Sequence, residues 1–329
     1  MKLDLLEYDI KKDGFTQSSL TSWMKCPVKA RNGMKGLYKA GFGSAIMFGS
    51  VFHEYMDVML NMYRDEEFTN PDQCREIAFW NKAKSKVVAK FSEEYIKATS
   101  EGKDIINECH MVCEVVVPEY FNYWKLDFFG EDKKEWVEIE GEFKVNVTDG
   151  TFRGKRDGVF ISKHTQGRAK WLFETKTKSR FDDDILMKII PRDFQVLCYM
   201  LAWYLEHNEF LKGVLYNVIR KPQLRQTKKE TTEQFMERIR ADIKERPDFY
   251  FSRYLCDISE NEIINFSKTF QRLTTKFSEF VHQPEEEDMQ HTHECNSIYG
   301  ACSFIDYCAS GKQNTMGLDV KEKLYNELA

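Results

Sequence analysis

What this chain lacks narrows its classes first. No window approaches the ~18 consecutive apolar residues of a membrane-spanning helix, so no membrane association is expected. Met1 to Asp13 is charged and has no apolar h-region, which predicts a soluble protein of the cytoplasm, or of a host cytoplasm if the source is viral. A Gly-Lys-Ser/Thr phosphate loop and helicase motifs are missing, so any ATP-driven motor has to be a partner. Proline is scarce, at 7 residues, and no Ser/Gly linker, repeat or low-complexity tract divides the chain. Bulk positive charge is missing too: 48 Lys and Arg stand against 53 Asp and Glu, a net charge of −5. That argues against coating nucleic acid by bulk electrostatics and leaves only local contacts. The candidate patches are Arg153, Lys155 and Arg156; Lys176, Lys178 and Arg180; and Arg220, Lys221 and Arg225.

What is present describes a globular protein. The 329 residues are 42% hydrophobic and 14% aromatic, enough for one large core, so residues 1–329 are read as a single elaborated domain. A helix is expected from Ser18 to Met24, with a serine as N-cap, stopping at Cys26-Pro27. A flexible stretch marked by Gly33, Gly36, Gly41 and Gly43 precedes an amphipathic helix that carries His53. Residues 74–127 read as a helical insertion. From Trp136 the period changes, with strands over Trp136 to Val147, Thr151 to Ile161 and Lys170 to Thr177, the first two joined at Asp149-Gly150. A helix through Phe194 and Tyr204, a strand from Gly213 to Arg220 and a helix from Glu260 to Gln283 follow.

The chemistry gathers in the strands. Glu174 and Lys176 are two apart and project to one face, and Asp157 can join them if its strand is a neighbour. Two carboxylates held close repel unless a hard cation such as Mg²⁺ or Mn²⁺ lies between them. An Asp followed by Glu-x-Lys is most often only a surface ion pair, but here the apolar lead-in Trp171-Leu172-Phe173 places the motif where a buried strand emerges. His53 can complete such a site, and Gln195 and Tyr199, four apart on a helix, share an edge beside it.

Gly154 to Asp157, Glu174 to Thr177, Gln195 to Tyr199, Phe48 to Glu54 and the opening Ser18-Ser19-Leu20, Trp23 and Cys26-Pro27 together resemble the RecB-like branch of the PD-(D/E)XK nuclease superfamily, from about Thr16 to Cys308. The resemblance implies an α/β, restriction-endonuclease-like fold, a central mixed sheet flanked by helices. It implies metal ligation by His53, Asp157, Glu174 and the Thr175 carbonyl, catalysis by Lys176, and substrate positioning by Gln195 and Tyr199. Glu140, between Glu138 and Glu142, falls where some relatives have a further acidic residue. Arg156 stands where the family has an apolar residue.

Nine cysteines are an odd number, which does not suit a disulfide framework. Cys26 near one end and Cys295, Cys302 and Cys308 near the other, the last three spaced C-x6-C-x5-C, supply the four thiolates of a [4Fe–4S] cluster. This arrangement resembles the iron–sulfur subset of the family, represented by AddB and the CRISPR-associated exonucleases, although the first spacing is longer here. Residues 16–26 and 290–312 would form the cluster region. Zinc held by His291, His293 and the same cysteines is the alternative.

The function expected is a metal-dependent DNA exonuclease acting on single-stranded or resected ends in recombination, repair or replication-linked processing, with a helicase or recombination protein as a possible partner. The alternative is a catalytically silent, nuclease-like DNA-binding subunit of such a complex.

Overall fold

Thr16 caps the first helix, α1 (Gln17–Lys25): its hydroxyl accepts from the Ser19 amide, and Ser19 accepts from the Thr16 amide. The expected serine cap at Ser18 is corrected to this capping box. Pro27 opens a second helix, α2 (Pro27–Met34), since a first-turn proline lacks only an N–H that would have no helical partner. The glycine-marked stretch therefore starts inside a helix before β1 (Leu37–Lys39). In this computed structural model the described residues are 3–39, 43–130, 133–162, 168–290, 292–297, 300–325 and 328, so Gly41 and His291 lie outside them.

The long helix α3 (Ser44–Arg64) buries Phe48, Val51, Phe52, Tyr55 and Met59 along one side. Helices α4 (Ile77–Lys90), α5 (Ser92–Lys97) and α6 (Ser100–Tyr123) follow. The sheet begins with β2 (Glu135–Val147) and β3 (Gly150–Ile161), a hairpin that turns at Thr148-Asp149, and continues with β4 (Lys170–Lys178). After α7 (Asp183–Ile189) and α8 (Phe194–His207), β5 (Gly213–Arg220) returns parallel to β4. Helices α9 (Thr232–Glu245) and α10 (Pro247–Tyr250) lead into β6 (Phe251–Asp257), and α11 (Glu260–His282) closes the layer. The tail carries β7 (Asn296–Ser297), β8 (Gly300–Ala301), α12 (Ile305–Ala309) and β9 (Leu318–Val320), and β9 pairs with β1.

The five-stranded mixed sheet runs β2-β3-β4-β5-β6, antiparallel except between β4 and β5. Its two faces are both covered. Trp171 and Phe173 of β4 join a core with α3, α6 and α9, whereas Leu172 joins the opposite core with α8 and α11, as the period of two requires. Among the described residues no helix is long and apolar enough to cross a membrane.

One irregularity positions the site. β3 and β4 pair only from Gly158 opposite Phe173 to Ile161 opposite Lys170. Beyond that point β4 stays bonded to β5 as far as Lys178, and β3 stays bonded to β2. The two central strands part at Asp157 and Glu174.

Candidate metal centre

Where strands part, ladder partners are lost and side chains must replace them. The Asp157 carboxylate does so, accepting from the Thr175 amide at 2.6 Å. Its other oxygen lies 3.6 Å from His53 Nδ1. His53 reaches this point because Gly49, one helical turn earlier, lets α3 lie against β4: a Cβ on Gly49 would stand 2.8 Å from Thr177 Oγ1. Gly154 plays a similar part under the motif strand, where a Cβ would meet the Phe143 ring at 2.6 Å.

His53, Glu140 and Asp157 each place a ligand atom within 4.8 Å of the other two, a set that fits a divalent cation. Glu138 and Glu142 do not share this place. Glu138 turns to Arg156 at 2.8 Å, and Glu140 alone, with φ +48°, leaves the strand's regular alternation. Glu174 lies outside the tight trio. One oxygen is bound by the Lys176 ammonium, while the other, Oε2, is buried with no hydrogen-bond partner among the described residues. A buried carboxylate oxygen without a donor is costly, and a cation is the ligand that would relieve it.

The other predicted residues extend from this point as a line. Lys176 Nζ donates to Gln195 Oε1 at 2.7 Å, and Gln195 Nε2 donates to the Tyr199 hydroxyl at 2.9 Å. Thr175 is held from both sides: Asn217 Nδ2 donates to its hydroxyl at 3.2 Å, and its backbone hydrogen-bonds His53. Arg253 Nε in turn donates to Asn217 Oδ1 at 3.0 Å. Sequence reasoning missed Asn217 and Arg253; Asn217 has a signal, a polar residue inside the apolar run of β5, whereas Arg253 follows Ser252 in a mixed strand.

The electrostatics follow from burial. Removal from water raises Glu140 to about 8, with the Asp157 charge adding to it, and raises Glu174 to about 7. Burial raises Asp157 as well, against the pull of Lys176. His53 is pushed below its ordinary range by burial and then by the Lys176 charge, so it offers a neutral imidazole. Burial opposes the charge on Lys176, but Glu174 and Asp157 outweigh it and hold the ammonium above its usual value. Metal-free, the site has an excess of carboxylate.

The basic candidates divide. Arg156 is a correction: its side chain is 1% exposed and bound by Glu138 and Glu206, so it faces the core and not a strand of DNA. Lys155 pairs with Glu140 at 2.7 Å. Arg220 stacks between Phe181 and Phe249, each 4.2 Å away, and Lys221 binds Ser44. Arg180 and Arg225 are exposed.

The four cysteines singled out converge from both ends of the chain. Cys26 sits at the junction of α1 and α2. The Cys308 thiol is pushed up first by burial and then by Cys302, Cys26 and Cys295. Cys302 N also donates to Cys295 O at 2.8 Å.

No protein-family model matches the chain, and no curated protein matches it. Among solved structures it is similar to a protein from Eubacterium rectale named "Putative exonuclease", with 8% identity, a TM-score of 0.46, and coverage of 91% of this chain and 88% of that one.

Proposed function

We propose that this chain is a nuclease that hydrolyses DNA phosphodiester bonds with Mg²⁺ or Mn²⁺, acting on the ends of single-stranded or resected DNA. The observation that carries the reading is the partnerless Oε2 of buried Glu174 beside the His53, Glu140 and Asp157 trio, in line with Lys176, Gln195 and Tyr199. His53, Glu140, Asp157 and Glu174 would hold a divalent cation, which would supply charge neutralisation and make a water more acidic. Lys176, kept as an ammonium, stabilises negative charge on a phosphoryl oxygen. Gln195 and Tyr199 hold Lys176 and the strand in register. Asp157 fixes the Thr175 backbone through its amide, so the wedge between β3 and β4 keeps its shape when substrate enters.

Cys26, Cys295, Cys302 and Cys308 are proposed as the ligands of a [4Fe–4S] cluster with a structural role. They come from both ends of the chain, with the Cys308 thiol raised by Cys302, Cys26 and Cys295, and iron with labile sulfide, against zinc, in anaerobically purified protein decides between the two metals.

The test is digestion of end-labelled linear single strands and of closed circles with Mg²⁺ or Mn²⁺, comparing wild type with Glu174→Ala. Loss of the linear substrate alone, abolished by the substitution, is expected. No cleavage by intact, iron-loaded wild type would overturn the enzyme and favour a DNA-binding subunit of a helicase or recombination complex.

A further inference from the structure

A cavity of about 800 Å³ opens beside the far ends of α3 and β2, two of the elements that build the metal centre. Phe68 and Phe128 form its buried floor, and Tyr63, Phe129 and Trp136 are its half-buried walls. Its position is set by the fold. Tyr63 lies ten residues beyond His53 on α3, about 15 Å along the helix axis. Trp136 lies four residues before Glu140 on β2, at most about 13 Å along a strand that is irregular between Trp136 and Glu138 and again at Glu140. Both elements therefore run from the centre to the cavity over a distance of at most about four stacked nucleotides and fewer in an extended strand.

The cavity is also joined to the centre through the protein. Lys134, in its wall, binds Asp127; Asp127 binds Arg253; Arg253 binds Asn217; and Asn217 binds Thr175 beside His53. Among its described lining residues, Arg64, Lys133 and Lys134 stand against Glu66 and Glu135, and Lys134 and Glu135 are already paired with Asp127 and Arg168. Aromatic and charged side chains share the surface offered to a ligand.

We propose that this cavity binds an unpaired nucleobase of the single strand whose phosphate lies at the metal centre, stacking it against Trp136, Phe129 and Tyr63. This rests on the nuclease reading for the strand's direction but not for the binding itself. A base-stacking site tolerates any sequence, because every base offers a π face. It also contributes little salt dependence, since few phosphates are neutralised there. A duplex cannot use it without unpairing, so the cavity selects single strands.

Photocrosslinking tests this on the full-length protein with Ca²⁺ in place of Mg²⁺, so that the carboxylates are neutralised without the stronger Lewis acid that cleavage needs. Oligonucleotides carry one iododeoxyuridine at successive positions from the end, adducts are mapped by peptide mass spectrometry, and thymidine monophosphate is the competitor. The expected result is an adduct on Trp136, Phe129 or Tyr63 from one narrow range of positions, little displaced by the mononucleotide. Trp136→Ala should weaken strand binding about five- to a hundredfold. Phe129→Leu keeps the bulk, loses the π face, and serves where Trp136→Ala does not fold. Adducts elsewhere, with cleavage intact in Mg²⁺, overturn the cavity and leave the nuclease standing. Adducts in the cavity without cleavage overturn the nuclease alone. Full displacement of the adduct by the mononucleotide overturns the strand path in favour of a nucleotide site.

Discussion

Glu140 is pulled two ways. Lys155 favours its charge, while burial and the nearby Asp157 carboxylate disfavour it, and the second influence prevails. A carboxyl whose folded pKa is raised binds extra protons in the folded state, so its stabilising contribution is complete below about 4.5 and is lost as pH rises to about 8. In the metal-free protein, Glu140→Gln should therefore remove part of the decline in stability over that window and raise the melting temperature at pH 8 by a few degrees, read by calorimetry in EDTA. Mg²⁺ or Mn²⁺ should stabilise wild type more at pH 8 than at pH 5, and the variant less at both.

Lys176 has the opposite requirement. Because it stays an ammonium, Lys176→Met should lower cleavage on the order of a thousandfold at saturating DNA, with no recovery at higher pH. Recovery at high pH would assign Lys176 the role of a base. Most of this site was legible because its spacings are those of single elements: two residues on β4 for Glu174 and Lys176, four on α8 for Gln195 and Tyr199. Glu140 was not. Three alternating glutamates look alike until the positive φ at Glu140 and the claim of Arg156 on Glu138 separate them.

At the scale of the element, Arg156 ties three pieces together. Its guanidinium reaches Glu138 on β2 and Glu206 on α8, and lies over the Phe143 and Trp203 rings at 5.0 and 5.3 Å. A buried cation is tolerated only with such partners, and deleting one member of a buried pair costs about 3–5 kcal/mol. Arg156→Met alone should cost an amount of that order in chemical denaturation, and adding Glu138→Gln and Glu206→Gln should recover most of it. A single substitution near neutral would mean that the glutamates, each 21% exposed, rehydrate freely. The same logic explains what the sequence hid. β6 was overlooked because Ser252 and Arg253 interrupt its apolar residues, yet Arg253 is buried against Asp127, Tyr120 and Asn217. α9 presents only Phe235, Ile239 and Ile243 as its buried stripe, too narrow to stand out among charged neighbours. The sheet's first three strands needed no partner to be read, since β2 carries its own alternation, the Asp149-Gly150 pair marks the hairpin to β3, and β4 opens on the apolar run Trp171-Leu172-Phe173.

At the scale of the molecule, the tail after α11 meets the rest of the chain at several places. β9 pairs with β1. Arg31 of α2 binds Asp288 and the Phe280, Val281 and Gln283 carbonyls at the end of α11. Cys302, Cys26 and Cys295 act on the Cys308 thiol, and the proposed cluster would fasten them together. The β1–β9 pairing and the Arg31 contacts are short or partly exposed, so the proposed cluster would carry most of the closure of a loop that spans nearly the whole chain, where cross-links gain most in entropy. Cys302→Ser should accordingly abolish bound iron and labile sulfide and make the tail the first site of limited proteolysis. The helices and sheet should persist in circular dichroism, because both main cores lie outside the small cluster of Leu37, Phe304 and Tyr307. Cys256→Ser, on β6 and away from the tail, should leave iron content unchanged. If iron is absent from anaerobically purified wild type and zinc is found in its place, the staple is a zinc site, and Cys302→Ser should then release zinc with the same pattern of proteolysis. If neither metal is present and the tail resists protease equally in both proteins, the β1–β9 pairing and Arg31 are sufficient to hold it.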